Sequence, residues 1–119
     1  VIVPYRTLYK LLDNVSDDVF NDIVKESAKL MEWFFSVSRA RGGSKSLKRF
    51  IDLLSLWLPD ARIEVVEHNN GKRLIVSSPN QGMRATILTN NIVHTALKAY
   101  GMNVVKSEYS PGLIVIDIR

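Results

Sequence analysis

Arg39, Arg41, Lys45, Lys48 and Arg49 crowd into residues 39–49, a span without a single acid. Cations at that density suit one chemistry, the neutralisation of phosphates along a nucleic-acid backbone. The Gly42-Gly43 pair between them would let the cations follow a curved strand, and a helix starting just after it would offer N–H donors to an anion. The formal net charge is +4, so removing these five leaves −1 and the basic character belongs to this segment. No aromatic residue is interleaved with it, which argues against recognition by base stacking. The competing reading is a solvated run in which Arg39 and Arg41 stand where a helix C-terminus favours cations.

The other chemistry-bearing residues do not converge in the sequence. His68 falls in a polar turn and His94 on a helix beside Val93 and Thr95, and neither has a second ligand at metal spacing or a neighbouring carboxylate. The acids fall mostly at helix caps and on polar helix faces, while Glu64, Glu108 and Asp117 fall in strands. Asp117 interrupts an apolar run, and alternation points it away from Ile116 and Ile118, toward solvent. One carboxylate is not an acid–base pair. No serine lies in a nucleophile-elbow pattern. Gly42-Gly43-Ser44-Lys45-Ser46 has the closing residues of a phosphate-binding loop, but lacks its first glycine and follows a helix rather than a strand. With no cysteine in the chain, disulfides and thiolate metal sites are excluded.

The elements that must carry these residues are legible from periodicity. Pro4 suits the first position of a short helix whose apolar stripe is Tyr5, Leu8, Tyr9, Leu11 and Leu12, ending at Asp13-Asn14. Ser16 caps a second helix over about Asp17–Val37, with Asp17 and Asp18 in its first turn and an inward face of Val19, Phe20, Ile23, Val24, Leu30, Met31, Phe34 and Phe35. A third helix, about Lys45–Leu58, turns Leu47, Phe50, Ile51, Leu54, Trp57 and Leu58 inward and stops at Pro59-Asp60. Strands follow over Arg62–Glu67 and Lys72–Ser78, joined by a turn with an Asn70-Gly71 hairpin signal. A fourth helix, about Met83–Tyr100, is expected to bury Ile87, Leu88, Ile92, Val93, Ala96, Leu97 and Tyr100, with Gly101 as its left-handed cap. Two last strands, Asn103–Tyr109 and Leu113–Ile118, are joined by Ser110-Pro111-Gly112.

Residues 46–78 and 83–118 thus read alike, each a helix and two strands. The fold class predicted is α+β: a mostly antiparallel four-stranded sheet from two helix–strand–strand units, packed against the N-terminal helices. At 119 residues, 46% hydrophobic and 24% charged, the chain has the length and composition of one globular domain with a core of its own. No apolar run approaches the roughly 20 residues that span a bilayer. The chain begins at Val1 rather than Met, and its apolar opening reads as the continuation of an upstream module.

The stretch Ile63-Glu-Val-Val-Glu-His-Asn-Asn-Gly-Lys-Arg-Leu-Ile-Val, the helix Ile92–Gly101, and Val104-Val-Lys-Ser-Glu-Tyr-Ser-Pro-Gly-Leu-Ile-Val-Ile-Asp-Ile resemble, in layout, the small-molecule-binding domain named after 4-vinyl reductase. That family is related in fold to haem–nitric-oxide-binding domains and to subunits of vesicle-tethering complexes. The resemblance covers about half the chain and implies a sensor or dimerisation module attached to a regulator. The family's cysteines in the final hairpin are replaced here by residues such as Tyr109 and Val115, so no metal or cofactor tied to them is implied.

The expected function is therefore a non-enzymatic, cytoplasmic ligand-sensing or dimerisation module, of the kind found in transcriptional regulators, without a cofactor. Its partner would be a second copy of the chain and its ligand an apolar small molecule walled by Phe34, Trp57 and Tyr100. Those aromatics at helical spacing equally describe plain core. The alternative is a nucleic-acid-binding protein acting through Arg39, Arg41, Lys45, Lys48 and Arg49.

Overall fold

Four helices and a four-stranded antiparallel sheet make up the computed structural model, which describes residues 5–42 and 46–119. The order is α1 (Tyr5–Asn14), α2 (Asp17–Gly42), α3 (Leu47–Trp57), β1 (Arg62–His68), β2 (Gly71–Ser77), α4 (Met83–Ala99), β3 (Val104–Ser110) and β4 (Leu113–Ile118). The α+β class and the antiparallel sheet are as the periodicity predicts. The expectations placed on Val1, Pro4, Gly43, Ser44 and Lys45 lie outside the described residues.

The sheet runs β1-β2-β4-β3, so the two hairpins meet through their second strands. A single shift of 42 positions, from Arg62 to Val104, carries β1 onto β3, Gly71 onto Leu113 at the start of the next strand, and the α3 cap Leu58 onto the α4 cap Tyr100. The same shift carries Leu74 onto Ile116, and those two residues face each other across β2 and β4. The doubled pattern in the sequence is thus an internal two-fold arrangement, with the Leu74–Ile116 pair at its seam.

Turn chemistry fixes both hairpins. In the first, Asn69 (φ 45°) and Asn70 (φ 63°) form the two-residue loop and Gly71 already pairs with His68. The turn sits one residue earlier than the Asn70-Gly71 signal indicates, because both Asn side chains tolerate the left-handed region that such hairpins require. In the second, Pro111 and Gly112 (φ +80°) occupy the loop. A side chain at Gly112 would meet the Ser78 carbonyl at 2.8 Å, so the position excludes any other residue on two counts.

Helix ends follow the expected caps. Ser16 Oγ accepts from the Val19 N–H at 3.2 Å, and Ser46 Oγ from the Arg49 N–H at 3.4 Å. At the end of α4, Gly101 N–H donates to the Lys98 carbonyl (3.1 Å) and Met102 N–H to the Leu97 carbonyl (2.9 Å), a Schellman closure around Gly101 at φ +87°.

One sheet face packs on the helices. Leu74, Val76, Ile114, Ile116 and Ile118 are buried against Met31, Phe35, Phe50, Leu54, Val93, Ala96, Leu97 and Tyr100. Phe35, Phe50 and Tyr100 form the centre, with ring centroids 5.3, 5.5 and 6.4 Å apart. The buried face of α4 is rotated from the predicted one: Ala85, Thr86 and Thr89 are buried, while Ile87, Leu88 and Ile92 are only half-buried. Two hydroxyls can enter because they find partners there. Thr86 Oγ1 donates to the Gly82 carbonyl and accepts from the Gly112 N–H, both at 2.8 Å, which ties the β3–β4 turn to the start of α4.

Candidate functional site

α1 lies against α4, and between them, the start of α2 and the end of α3 is a cavity of about 360 Å³. Its walls are apolar: Leu8, Leu11 and Leu12 from α1, Ile23 from α2, Trp57 and Leu58 from the end of α3, and Ala85, Leu88 and Ile92 from α4. Helical spacing along α1 gives it this inward stripe, yet Leu8 and Leu11 remain 41% and 55% exposed, so the helix covers the cavity without sealing it.

Four polar side chains gather at one end: Tyr9, Asp60, Gln81 and Thr89. They form a directed chain. The Gln81 amide N–H donates to the Tyr9 oxygen (3.3 Å) and to Thr89 Oγ1 (2.9 Å), and the Tyr9 hydroxyl donates to Asp60 Oδ2. Gln81 is buried, 7% exposed, and its amide is fixed by these bonds. Burial pushes the Asp60 carboxyl above its ordinary pKa, a rise partly opposed by a backbone hydrogen bond.

That shift carries a sign. A carboxyl that holds its proton more tightly in the folded than in the unfolded chain favours folding in acid and loses that contribution as pH rises from the unfolded pKa, about 3.9, through the folded one. Urea unfolding of Asp60→Asn and the parent at pH 4 and pH 7 should therefore show the difference moving in the variant's favour at the higher pH. A difference constant with pH would mean that Asp60 is not desolvated in the fold.

α1 is held by a second contact. Arg84 Nη1 donates to the Leu12 carbonyl (2.8 Å) and the Val15 carbonyl (2.6 Å), its other nitrogen pairs with Asp17, and the guanidinium lies 5.0 Å from the Phe20 ring centroid. A cation therefore caps the C-terminal end of α1, where the helix dipole favours it.

Compared with family models, curated proteins and solved structures, the chain matches none.

The residues singled out in the sequence take different places. Trp57 lines the cavity. Phe34 is half-buried and packs edge-on against Trp57 at 5.3 Å, while Tyr100 is fully buried in the aromatic centre of the core. Arg39 and Arg41 stand in the last turn of α2, which continues to Gly42 instead of ending near Val37, so these cations are presented by a helix and not by a flexible joint. Lys48 and Arg49 stand at the start of α3, all four are exposed, and Lys45 lies outside the described residues. Arg39 covers the end of α4: a Cβ on Gly101 would come within 2.7 Å of its guanidinium carbon.

A second polar group is one the spacing alone missed. Asp117 does point to the outer face of the sheet, but there Arg73 holds it through two bonds of 2.8 and 3.2 Å, and its side chain is only 16% exposed. His68 Nε2 lies 3.0 Å from Arg73 and 3.6 Å from Asp117, so His68 has the carboxylate neighbour that its sequence context lacks. The signal is the register, which sets Arg73 opposite Asp117 and places His68 at the same end of the hairpin. The bond to Arg73 holds the Asp117 carboxyl below the usual carboxylate range. His94 on α4 is half-buried, burial lowers its pKa, and its Nε2 finds no hydrogen-bond partner among the described residues. No group of three or more His, Cys, Asp or Glu side chains among the described residues is placed to hold a metal ion.

Proposed function

We propose that this chain is a non-enzymatic ligand-sensing module whose signal is the occupancy of the cavity under α1. The observation that supports it is the shape of that site: an apolar space of about 360 Å³ with a few polar groups converging at one end. Small-molecule pockets are built this way, with apolar walls that supply affinity and sparse polar groups that fix orientation, at volumes from about 300 Å³ upward. A ligand that touches both α1 and α4 favours the arrangement in which α1 is docked. α1 is then the element that would transmit occupancy to a partner, and a regulator's other module or a second copy of the chain suits that role.

Toluene, a neutral apolar probe, tests the cavity itself. Amide chemical shifts should move at Leu88, Thr89, Ile92 and Trp57, and the melting temperature should rise with probe concentration. Leu8→Trp places a large ring over the same space from its exposed side and should abolish the shifts while the domain stays folded. Shifts scattered over the outer face of the sheet, or none at all, would refute the reading.

A second reading is favoured by one observation. Arg39 and Arg41 at the end of α2 and Lys48 and Arg49 at the start of α3 flank one connection and are all exposed. If these four and Lys45 all neutralise phosphates of a DNA duplex, the logarithm of the affinity should fall against the logarithm of salt with a slope of about −4.5. Changing all five to Ala should remove that binding and leave the melting temperature within a few degrees. A slope near zero, or unchanged affinity in the variant, excludes nucleic acid as a partner of this segment.

A further inference from the structure

The polar end of the cavity under α1 is not neutral in its demands. Gln81 spends its amide on Tyr9 and Thr89, Thr89 is paired with Gln81, and Tyr9 donates its only proton to Asp60. These three side chains position one another. The acceptor left at the end of the chain is the Asp60 carboxylate, for which Tyr9 is the only bonded side chain among the described residues. Beyond Tyr9, Gln81 and Thr89, Asp60 lines a space walled by leucine, isoleucine, valine, alanine and tryptophan, and no cationic side chain among the described residues lines it. A carboxylate facing such walls lacks the opposite charge that would compensate its desolvation, and a ligand can bring that charge.

We propose that the cavity takes a small apolar amine, with its ammonium against Asp60 and its hydrocarbon body between Leu12, Leu88 and Ile92. The inference rests on the ligand-sensing reading above and adds the chemical class. Each alternative head group fits less well. A carboxylate would meet Asp60 with like charge and is disfavoured. An alcohol can donate one bond to Asp60 but leaves its charge uncompensated, whereas an ammonium donates and neutralises together, and charge-assisted bonds are about twice as strong as neutral ones. The volume limits the body to roughly one ring or a short chain, because about 360 Å³ lies at the small end of ligand pockets. The raised pKa of Asp60, caused by desolvation, agrees with a carboxyl that has no counterion among the described residues.

Three probes with similar bodies separate the head groups: 2-phenylethylamine, 2-phenylethanol and phenylacetate, each titrated calorimetrically at pH 7 into the parent and into Asp60→Asn. The expected order in the parent is amine at least tenfold tighter than alcohol, with phenylacetate weakest. In Asp60→Asn, shown to be folded by its melting curve, the amine and the alcohol should bind within about twofold of each other, since one neutral acceptor serves both. Equal affinity for amine and alcohol in the parent overturns the amine assignment and leaves the apolar cavity standing. A preference for the amine that survives Asp60→Asn places the ammonium elsewhere and overturns it too. Binding of none of the three, together with no response to toluene, removes the cavity as a ligand site altogether.

Discussion

Phe35→Ala is expected to lower the stability of the domain by about 3–5 kcal/mol, the usual cost of emptying a buried aromatic site. Phe35 is fully buried in the middle of α2, and its ring is in edge contact with Phe34 at 5.2 Å and within 6.4 Å of Phe50 on α3 and of Tyr100 at the end of α4. One side chain therefore joins the long N-terminal helix to both helix–strand–strand units. Deleting it removes apolar area and leaves a void that three different helices would have to collapse to fill. Domains of this size are stable by about 5–15 kcal/mol, so the variant should melt roughly 10–25 °C lower, or fail to fold. Trp33→Ala is the control. Trp33 is two residues away on the same helix but 62% exposed, and its loss should change stability by about 0.5 kcal/mol or less. Similar costs for the two would mean that α2 does not bury the face described.

Arg84→Ala is expected to have the next largest effect, about 2–3 kcal/mol, and to exert it locally. The guanidinium is bonded to the Leu12 carbonyl in the last turn of α1 and the Val15 carbonyl just after it, paired with Asp17 and stacked on Phe20. Truncation leaves those carbonyls without their charged donor and uncovers the Phe20 ring. Because Arg84 bridges α4 to the end of α1, hydrogen exchange should accelerate in Tyr5–Asn14 far more than in β2 or β4. Toluene affinity should fall with it, as the cavity loses its cover. Arg84→Lys keeps the charge without the forked donor geometry and should recover only part of the loss. Uniform acceleration across all elements would show that α1 is no separable lid.

Much of the architecture follows from local pattern. Apolar residues at helical spacing, Ser16, Ser46 and Gly101 at the caps, and two turn-forming segments between β-branched runs each specify structure through neighbours a few residues away. The same information missed where α2 ends, because helical propensity and the cations Arg39 and Arg41 carry the helix past Val37 to Gly42. The cavity was not legible for a different reason. Tyr9 reads as one more residue of an apolar stripe and Asp60 as a helix stop, and nothing in the spacing ties either to Gln81 or Thr89. They meet only because α1 folds back over α4, bringing residues 9, 60, 81 and 89 together. Of the aromatics expected to wall a pocket, Trp57 lines one, while Phe34 packs behind it and Tyr100 belongs to the core, since periodicity reports a buried face without saying what it is buried against. Likewise, alternation gives the face on which Asp117 stands, and only strand register brings it to Arg73 and His68.

The sheet's central pairing, β2 with β4, joins equivalent strands of the two halves, with Leu74 opposite its own counterpart Ile116. An interface of that kind is self-complementary at the level of backbone. Either half presents to its sibling the edge it would present to a twin, so an exchange of halves between two chains through the Pro79–Gly82 connection would recover every strand register in trans. Reciprocal exchange at high concentration would thus yield an interlocked pair whose sheets are indistinguishable from those of the single chain. Its formation would be limited by opening the β2–β4 seam rather than by finding any new contact.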